Sequence, residues 1–356
     1  MIIFLAVFAV ICLIGMQIKP KGTDKFITDY MSVDKTMSIK GIFIIIVFFA
    51  HFNNYVSYTA PSDVFYLEYF SKIGQCMVTL FLFYSGYGVM ESIKKKNMSY
   101  IHKIPVTRIL GTLFRFDIAI LMFLFLKLIF GGKFDLVQFL TSLIGWGSLG
   151  NSNWYIFAIL VAYAITYISF GIFKDKGKYY PAAILVTIGC VVYIFVLAYF
   201  NLKQRYWYDT IICYACGIWY SLLREKIEKI INCNIFVYVL VFLVTGAGTA
   251  YFMMNRSASF VHAELCLLFF TAFIVVLTMR VSFHNKILRW CGQHLFGLYI
   301  LQRIPMIAFS KLGLADFNIY LYFVLCLAVT IPFAWFFEKY TGKLWGIITS
   351  HKKKTA

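Results

Sequence analysis

The sequence predicts an all-α protein, a polytopic transmembrane bundle of about eleven helices, and three observations predict it. Apolar residues make up 62% of the 356 and charged residues only 13%, with a mean hydropathy of +0.80. Soluble domains run near about 45–50% apolar and about 25% charged. The apolar residues also fall in stretches of roughly 20, the length at which a helix crosses ~30 Å of hydrocarbon. Finally, Lys and Arg gather in short clusters that follow every second stretch, as the positive-inside rule requires.

In order, the spans are expected near residues 2–18, 39–57, 73–93, 109–130, 153–173, 181–200, 207–223, 235–254, 260–279, 290–310 and 317–337. The first is one extra helix before a core of ten. It has no basic residue ahead of its apolar run and no A-x-A site after it, so it reads as a retained helix, not a cleaved signal. The basic clusters are Lys19/Lys21/Lys25/Lys35/Lys40, Lys94/Lys95/Lys96/Lys103/Arg108, Lys174/Lys176/Lys178, Arg224/Lys226/Lys229, Arg280/Lys286/Arg289 and Lys339/Lys343/Lys352/Lys353/Lys354. Placing them all in the cytoplasm makes the N-terminus external and the C-terminus cytoplasmic, in a multi-pass protein of the cell membrane. The expected organisation is an N-terminal helix and linker (1–32), a transmembrane domain (33–345) and a basic cytoplasmic tail (346–356). The net charge of +18 is spread over these clusters and forms no single patch, which argues against nucleic acid as a partner.

Residues 134–150 are apolar but break the alternation if counted as a span. Gly145, Trp146, Gly147 and Gly150 suit either a broken, re-entrant piece on the outer side or an interfacial helix. The nine cysteines are scattered and form no secreted disulfide framework. Cys213-x-x-Cys216 lies in an apolar helix, where small buried hydrophobes are the ordinary reading. No Cys/His spacing points to a metal, and no phosphate-binding loop, GxSxG elbow or internal repeat is visible.

His51 is the most informative residue. It stands inside a stretch that begins at Lys40 and runs Ile42-Phe43-Ile44-Ile45-Ile46-Val47-Phe48-Phe49-Ala50. Ionisable groups within spans are costly and face polar cavities, pathways or one another. Eleven residues at about 100° each put Lys40 and His51 on one helix face, about 16 Å apart along the axis. Either the Lys snorkels to the interface and the His bonds within the bundle, or the two line one path. Arg115 lies on the face of Arg108, with Asp117 nearby; this set either lines an entrance or is an ion pair that fixes packing. Ser85, Gly86 and Gly88 permit close helix approach, and Glu338 reads as a structural residue at the end of the last span.

Four stretches, in order, resemble the motifs of the acyltransferase-3 family of membrane acyltransferases. Lys40 to His51 resembles its Arg/Lys-x10-His motif, with Lys where Arg is usual. Thr79 to Gly88 resembles its Phe-rich run ending in Ser-Gly-aromatic, and Asn153-Trp154-Tyr155 its aromatic span start. Leu288-x-Trp290-Cys291-Gly292 with Phe296 to Leu301 resembles the late signature, though Gln302 stands where His is common. Pro105 occupies the first position of the paired-Arg motif that ends at Arg108, and Lys103 is the nearest substitute. The likeness runs from about residue 33 to about 340.

The resemblance implies an O-acetyltransferase. Such an enzyme takes an acyl group, usually acetyl, from cytoplasmic acyl-CoA and places it on a hydroxyl of a cell-surface glycan beyond the membrane. It implies acetyl-CoA as co-substrate and no permanently bound cofactor or metal; the bilayer and the glycan are the other partners, with a homo-oligomer left open. The role it carries to His51 is catalytic, as general base or acyl relay. Lys40, Lys103, Arg108 and Arg115 are expected to bind acyl-CoA, and Asn53, Asn153, Trp154, Glu264 and Arg303 to bind the acceptor. The rival reading is a polytopic transporter or lipid-linked-glycan flippase without acyl-transfer chemistry; a non-catalytic sensor of the same fold is a third.

Overall fold

The apolar stretches become helices whose ends collect on two opposite faces. The computed structural model describes residues 1–18, 26–58, 61–173 and 178–354, so Lys19, Lys21, Lys25, Lys174 and Lys176 of the basic clusters lie outside the described residues. Among the described residues, seven helices are long and apolar enough to cross a membrane. The other expected spans are helical too, but charged, short or broken.

α1 (Ile2–Leu13) corrects the expected span 2–18: twelve residues rise about 18 Å, short of ~30 Å of hydrocarbon. Gly15, at φ +80°, turns the chain into β1 (Met16–Ile18), which pairs antiparallel with β2 (Val281–Phe283). This two-stranded ribbon places the exit of α1 and the loop near residue 281 on one face. The next helix, α2 (Val33–Phe52), is capped by Ser32, whose hydroxyl accepts from the Lys35 N–H, while Asp34 complements the dipole in its first turn. It carries both Lys40 and His51 without a break.

α3 (Pro61–Lys96) leads through α4 (Met98–Ile101) to a π-helical turn over Pro105–Leu110 and then α5 (Gly111–Ile129). Proline has no N–H to give, and the widened turn accommodates that loss. α6 (Leu136–Leu143) is two turns long, capped by Asp135; beyond it Gly145 and Gly150 adopt positive φ, and Asn151, Ser152 and Asn153 are buried. Residues 134–150 therefore form a short helix with an exposed apolar face plus an irregular turn, whose last residues lead into the buried Asn151–Asn153.

α7 (Trp154–Ile172), α8 (Tyr179–Tyr199), α10 (Ile235–Met254) and α11 (Phe260–Thr278) match their expected spans to within two residues, whereas α9 (Ile212–Ile231) starts five residues later and ends eight residues later than the expected 207–223. The expected span 290–310 is split into α12 (Lys286–Gln293), α13 (Leu295–Leu301) and α14 (Arg303–Lys311). Glu338 holds the first break: it pairs with His294 Nδ1 at 2.6 Å and accepts from the Gly297 N–H at 2.8 Å. After α15 (Leu314–Phe317), α16 (Ile319–Lys354) continues as one helix well past the expected end of the last span.

Lipid offers no hydrophobic drive between helices, so close packing and small residues do that work. A Cβ on Gly41 would strike the Leu288 carbonyl and one on Gly292 the Met37 carbonyl, which brings α2 and α12 into backbone contact. Gly86 against Tyr214 and Gly217 against Phe83 do the same for α3 and α9. Gly88 departs from that expectation, with nothing within 4 Å of its would-be Cβ. Cys213 and Cys216 are free thiols.

Candidate active site

The helical phase of α2 carries Lys40 and His51 to opposite ends of one path. At the Lys40 end is a cavity of about 480 Å³, open to the face that bears the β1–β2 ribbon. Lys40, Arg108 and Arg115 line it, along with Tyr84, Ser85, Tyr155 and Gln293, and its one described carboxylate is Glu338. Each cation arrives from a different turn. Lys40 comes from α2, with its ammonium 5.4 Å from the Tyr84 ring. Arg108 comes from the π turn, where Nε donates to the Tyr100 hydroxyl at 3.1 Å and the guanidinium lies 5.9 Å from the Tyr163 ring. Arg115 follows two turns later on α5, with a buried Nε that meets no described acceptor.

Lys40 and Arg108 are near enough to feel each other's charge. Arg115 and Asp117 form no ion pair with one another, because residues two apart point to different sides of a helix. With Glu338 already engaged by His294 and Gly297, the cavity is a cationic opening suited to an anion. Lys103 is exposed on the turn before Pro105 and stands outside the lining.

From the cavity the lining passes inward along Ser85 and Tyr155 to Tyr299, whose ring lies 5.3 Å from Tyr155 and 6.2 Å from the His51 imidazole. His51 Nε2 faces the Ser152 hydroxyl at 3.5 Å, and Nδ1 is buried with no described partner. The Tyr299 hydroxyl is buried beside Ser152 without a well-formed hydrogen bond. Arg303 is close enough for its charge to reach His51, and its Nε donates to the Tyr55 hydroxyl at 2.8 Å.

The structure separates the five residues expected to bind acceptor. Asn53 and Arg303 lie around His51; the Asn53 side-chain oxygen accepts from the Tyr58 hydroxyl at 2.7 Å. Asn153 and Trp154 belong to the turn leading into α7, where Asn153 donates to the Gly147 carbonyl at 2.6 Å and Trp154 packs 6.1 Å from Tyr206. Glu264 lies elsewhere, in a buried charge cluster with Asp209 and Arg256. Tyr155, Tyr299, Ser152 and Gln293 are site residues that sequence reasoning did not select. Tyr155 and Tyr299 sat within quoted motifs; Ser152 and Gln293 carried no signal.

A family model described as an acyltransferase domain matches residues 38–339, from just before Lys40 in α2 to just past Glu338. The chain belongs to the acyltransferase-3 family. No curated protein and no solved structure gives a significant match. Every residue of the path from Lys40 to His51, and on to Arg303, falls inside the matched range. This acyltransferase-3 protein is thus a multi-pass membrane acyltransferase, built as an all-α helical bundle.

Proposed function

We propose that the protein transfers an acetyl group from cytoplasmic acetyl-CoA to a hydroxyl of a glycan on the other side of the membrane, with His51 as general base. One observation carries the reading: a single helix presents Lys40 to a cationic cavity and, about three turns on, His51 to the end of the aromatic path that leaves it. Lys40, Arg108 and Arg115 suit the phosphates of CoA, since charge-assisted hydrogen bonds from Lys and Arg hold phosphate oxygens. An extended pantetheine arm, comparable in length to the Lys40–His51 offset, then brings the thioester beside the imidazole.

The chemistry balances as follows. The acceptor hydroxyl loses its proton to His51, its oxygen attacks the thioester carbonyl, and a tetrahedral oxyanion forms. The Tyr299 hydroxyl and the Arg303 charge stand where they can stabilise that oxyanion. Collapse breaks the C–S bond, and the proton on His51 goes to the departing CoA thiolate. An ester and free CoA result. The deep, unpaired Nδ1 of His51 and the family match favour this over a transport pathway.

In this orientation the face bearing the β1–β2 ribbon is cytoplasmic. A cysteine at Asn97 is then labelled from the cytoplasm and one at Lys133 from outside; labelling of both from one side overturns the topology. For the chemistry, purified protein should hydrolyse or transfer from [acetyl-14C]CoA. His51→Gln should bind acetyl-CoA normally and transfer about 10²–10⁴-fold more slowly. Trapping of label on the His51 protein before acceptor is added would replace the base role with a covalent relay.

A further inference from the structure

The face on which α7 begins carries a second opening that the donor cavity does not include. It is an open cleft of about 750 Å³ between the turn at 146–153 and the loop at 201–208. One wall is aromatic: Trp146 and Trp207 meet edge to face at 6.0 Å, and Tyr206, 41% exposed, is braced by Trp154. The other chemistry is cationic. The Lys203 ammonium lies 4.1 Å from the Trp146 ring and 4.2 Å from Trp207, and donates to the Trp146 carbonyl at 2.8 Å. Partial burial holds its pKa below the usual lysine range. Arg205 is partly exposed and has Asp209 behind it at 4.0 Å. No carboxylate stands among the described residues that line the cleft.

The cleft also sits next to the reacting centre. Asn153 lines it, while the preceding residue, Ser152, turns its hydroxyl to His51 at 3.5 Å. One peptide unit therefore separates a stacking, cationic surface from the imidazole. Sugar rings present apolar C–H faces that pack on aromatic side chains, and guanidinium and ammonium groups bind anionic oxygens.

We propose that this cleft is the acceptor site and that the acceptor is an anionic glycan. Its rings lie on the exposed Tyr206 beside the Lys203-capped Trp146/Trp207 pair, its charged groups meet Arg205 and Lys203, and the reacting hydroxyl passes Ser152 to reach His51. The inference rests on the proposed function and names the substrate class of that reaction.

The test is direct binding to the purified full chain in detergent, by calorimetry and tryptophan fluorescence. The probes are an oligogalacturonide, its fully methyl-esterified form of the same length, and a phosphate-bearing oligosaccharide. The acid should bind at least about tenfold tighter than the ester, with an advantage that shrinks as salt rises. Binding of the phosphate-bearing chain as well points to charge of either kind; binding of the carboxylate alone narrows the class to uronic-acid glycans.

Arg205→Gln and Tyr206→Ala should each weaken the acid by about five- to tenfold, and Arg205→Lys should restore part of the loss. Acetyl-CoA affinity, measured on every variant, reports that it is folded. Equal affinity for acid and ester, or an unchanged affinity in Tyr206→Ala and Arg205→Gln, overturns the assignment. If His51→Gln transfers acetyl at the normal rate while the acid binds here, the functional reading fails and the cleft stands. If His51 is required but charge makes no difference, the cleft assignment alone fails.

Discussion

Two sets of charges are buried in this bundle, and they are built in opposite ways. Around Asp209 opposite charges meet, although Glu264 beside them keeps one buried oxygen without a described hydrogen-bond partner. Gln75 donates to its carboxylate and accepts from Arg256, Arg256 reaches the second carboxylate oxygen at 3.7 Å, and Arg205 stands at 4.0 Å. Around the other cavity, Lys40, Arg108 and Arg115 share one opening, and the single described carboxylate that lines it is occupied by His294 and a backbone amide. Charges that satisfy one another tie helices together. Charges of one sign around an opening call for something from outside the protein.

The largest effect expected from that distinction is at the far end of the cationic path. His51→Gln keeps a polar side chain but removes the base, so the transfer rate should fall by about 10²–10⁴-fold. Single-turnover transfer at saturating acetyl-CoA measures it, and a normal rate would reduce His51 to packing.

Next is the self-satisfied cluster. Asp209→Ala removes the buried carboxylate from its Arg partners and should cost about 3–5 kcal/mol of stability, read as an earlier thermal unfolding in detergent. Acetyl-CoA affinity should stay within about twofold while the protein remains folded. A large loss of donor affinity in this variant would erase the difference between the two clusters.

Arg108→Ala should do the reverse. Losing a charge-assisted contact of about 1.5–3 kcal/mol weakens acetyl-CoA binding roughly ten- to a hundredfold, with a smaller change in unfolding temperature than Asp209→Ala. Calorimetry that finds donor affinity unchanged would move the donor site away from this cavity.

The smallest effects separate two glycines that stand two residues apart on α3 and so face opposite sides of it. Gly86→Ala drives a methyl into the Tyr214 backbone and should destabilise by about 1–3 kcal/mol. Gly88→Ala meets open space and should be neutral or stabilising by up to about 1 kcal/mol, while Gly88→Leu narrows the cavity and weakens donor binding severalfold. Equal destabilisation by the two alanines would contradict their different surroundings.

The sequence made the bundle legible because hydrophobic length and basic alternation act on whole segments. Loops that alternation assigns to one side do meet: β1 pairs with β2, and Trp146 packs on Trp207. What it hid were local breaks. The shortness of α1 depends on Gly15 taking a positive φ, and the split of 286–311 depends on Glu338 arriving from a distant helix. Composition cannot register a partner that far away in the chain.

The same limit applied at the site. Lys40 and His51 were readable because helical phase links them within one segment, and Arg108 and Arg115 for the same reason. Lys103 is expected with Arg108 among the acyl-CoA-binding cations, and the Pro105 turn places it exposed and outside the cavity lining. Glu264 resembled an acceptor ligand because depth alone was visible, and its grouping with Asp209 comes from the turn ahead of α9 packing near α11. Tyr155 and Tyr299 were seen as motif letters, and only packing shows them as the link between cavity and imidazole.

The unbroken run of α2 has one more consequence, which concerns angle and not distance. An extra residue inserted between Lys40 and His51 would move the imidazole only about 1.5 Å but swing it by about 100°, away from Tyr299 and Ser152. The apolar residues between the two can change identity freely so long as they fill their places. Their number cannot, because the helix works here as a screw thread that sets the direction in which the imidazole points.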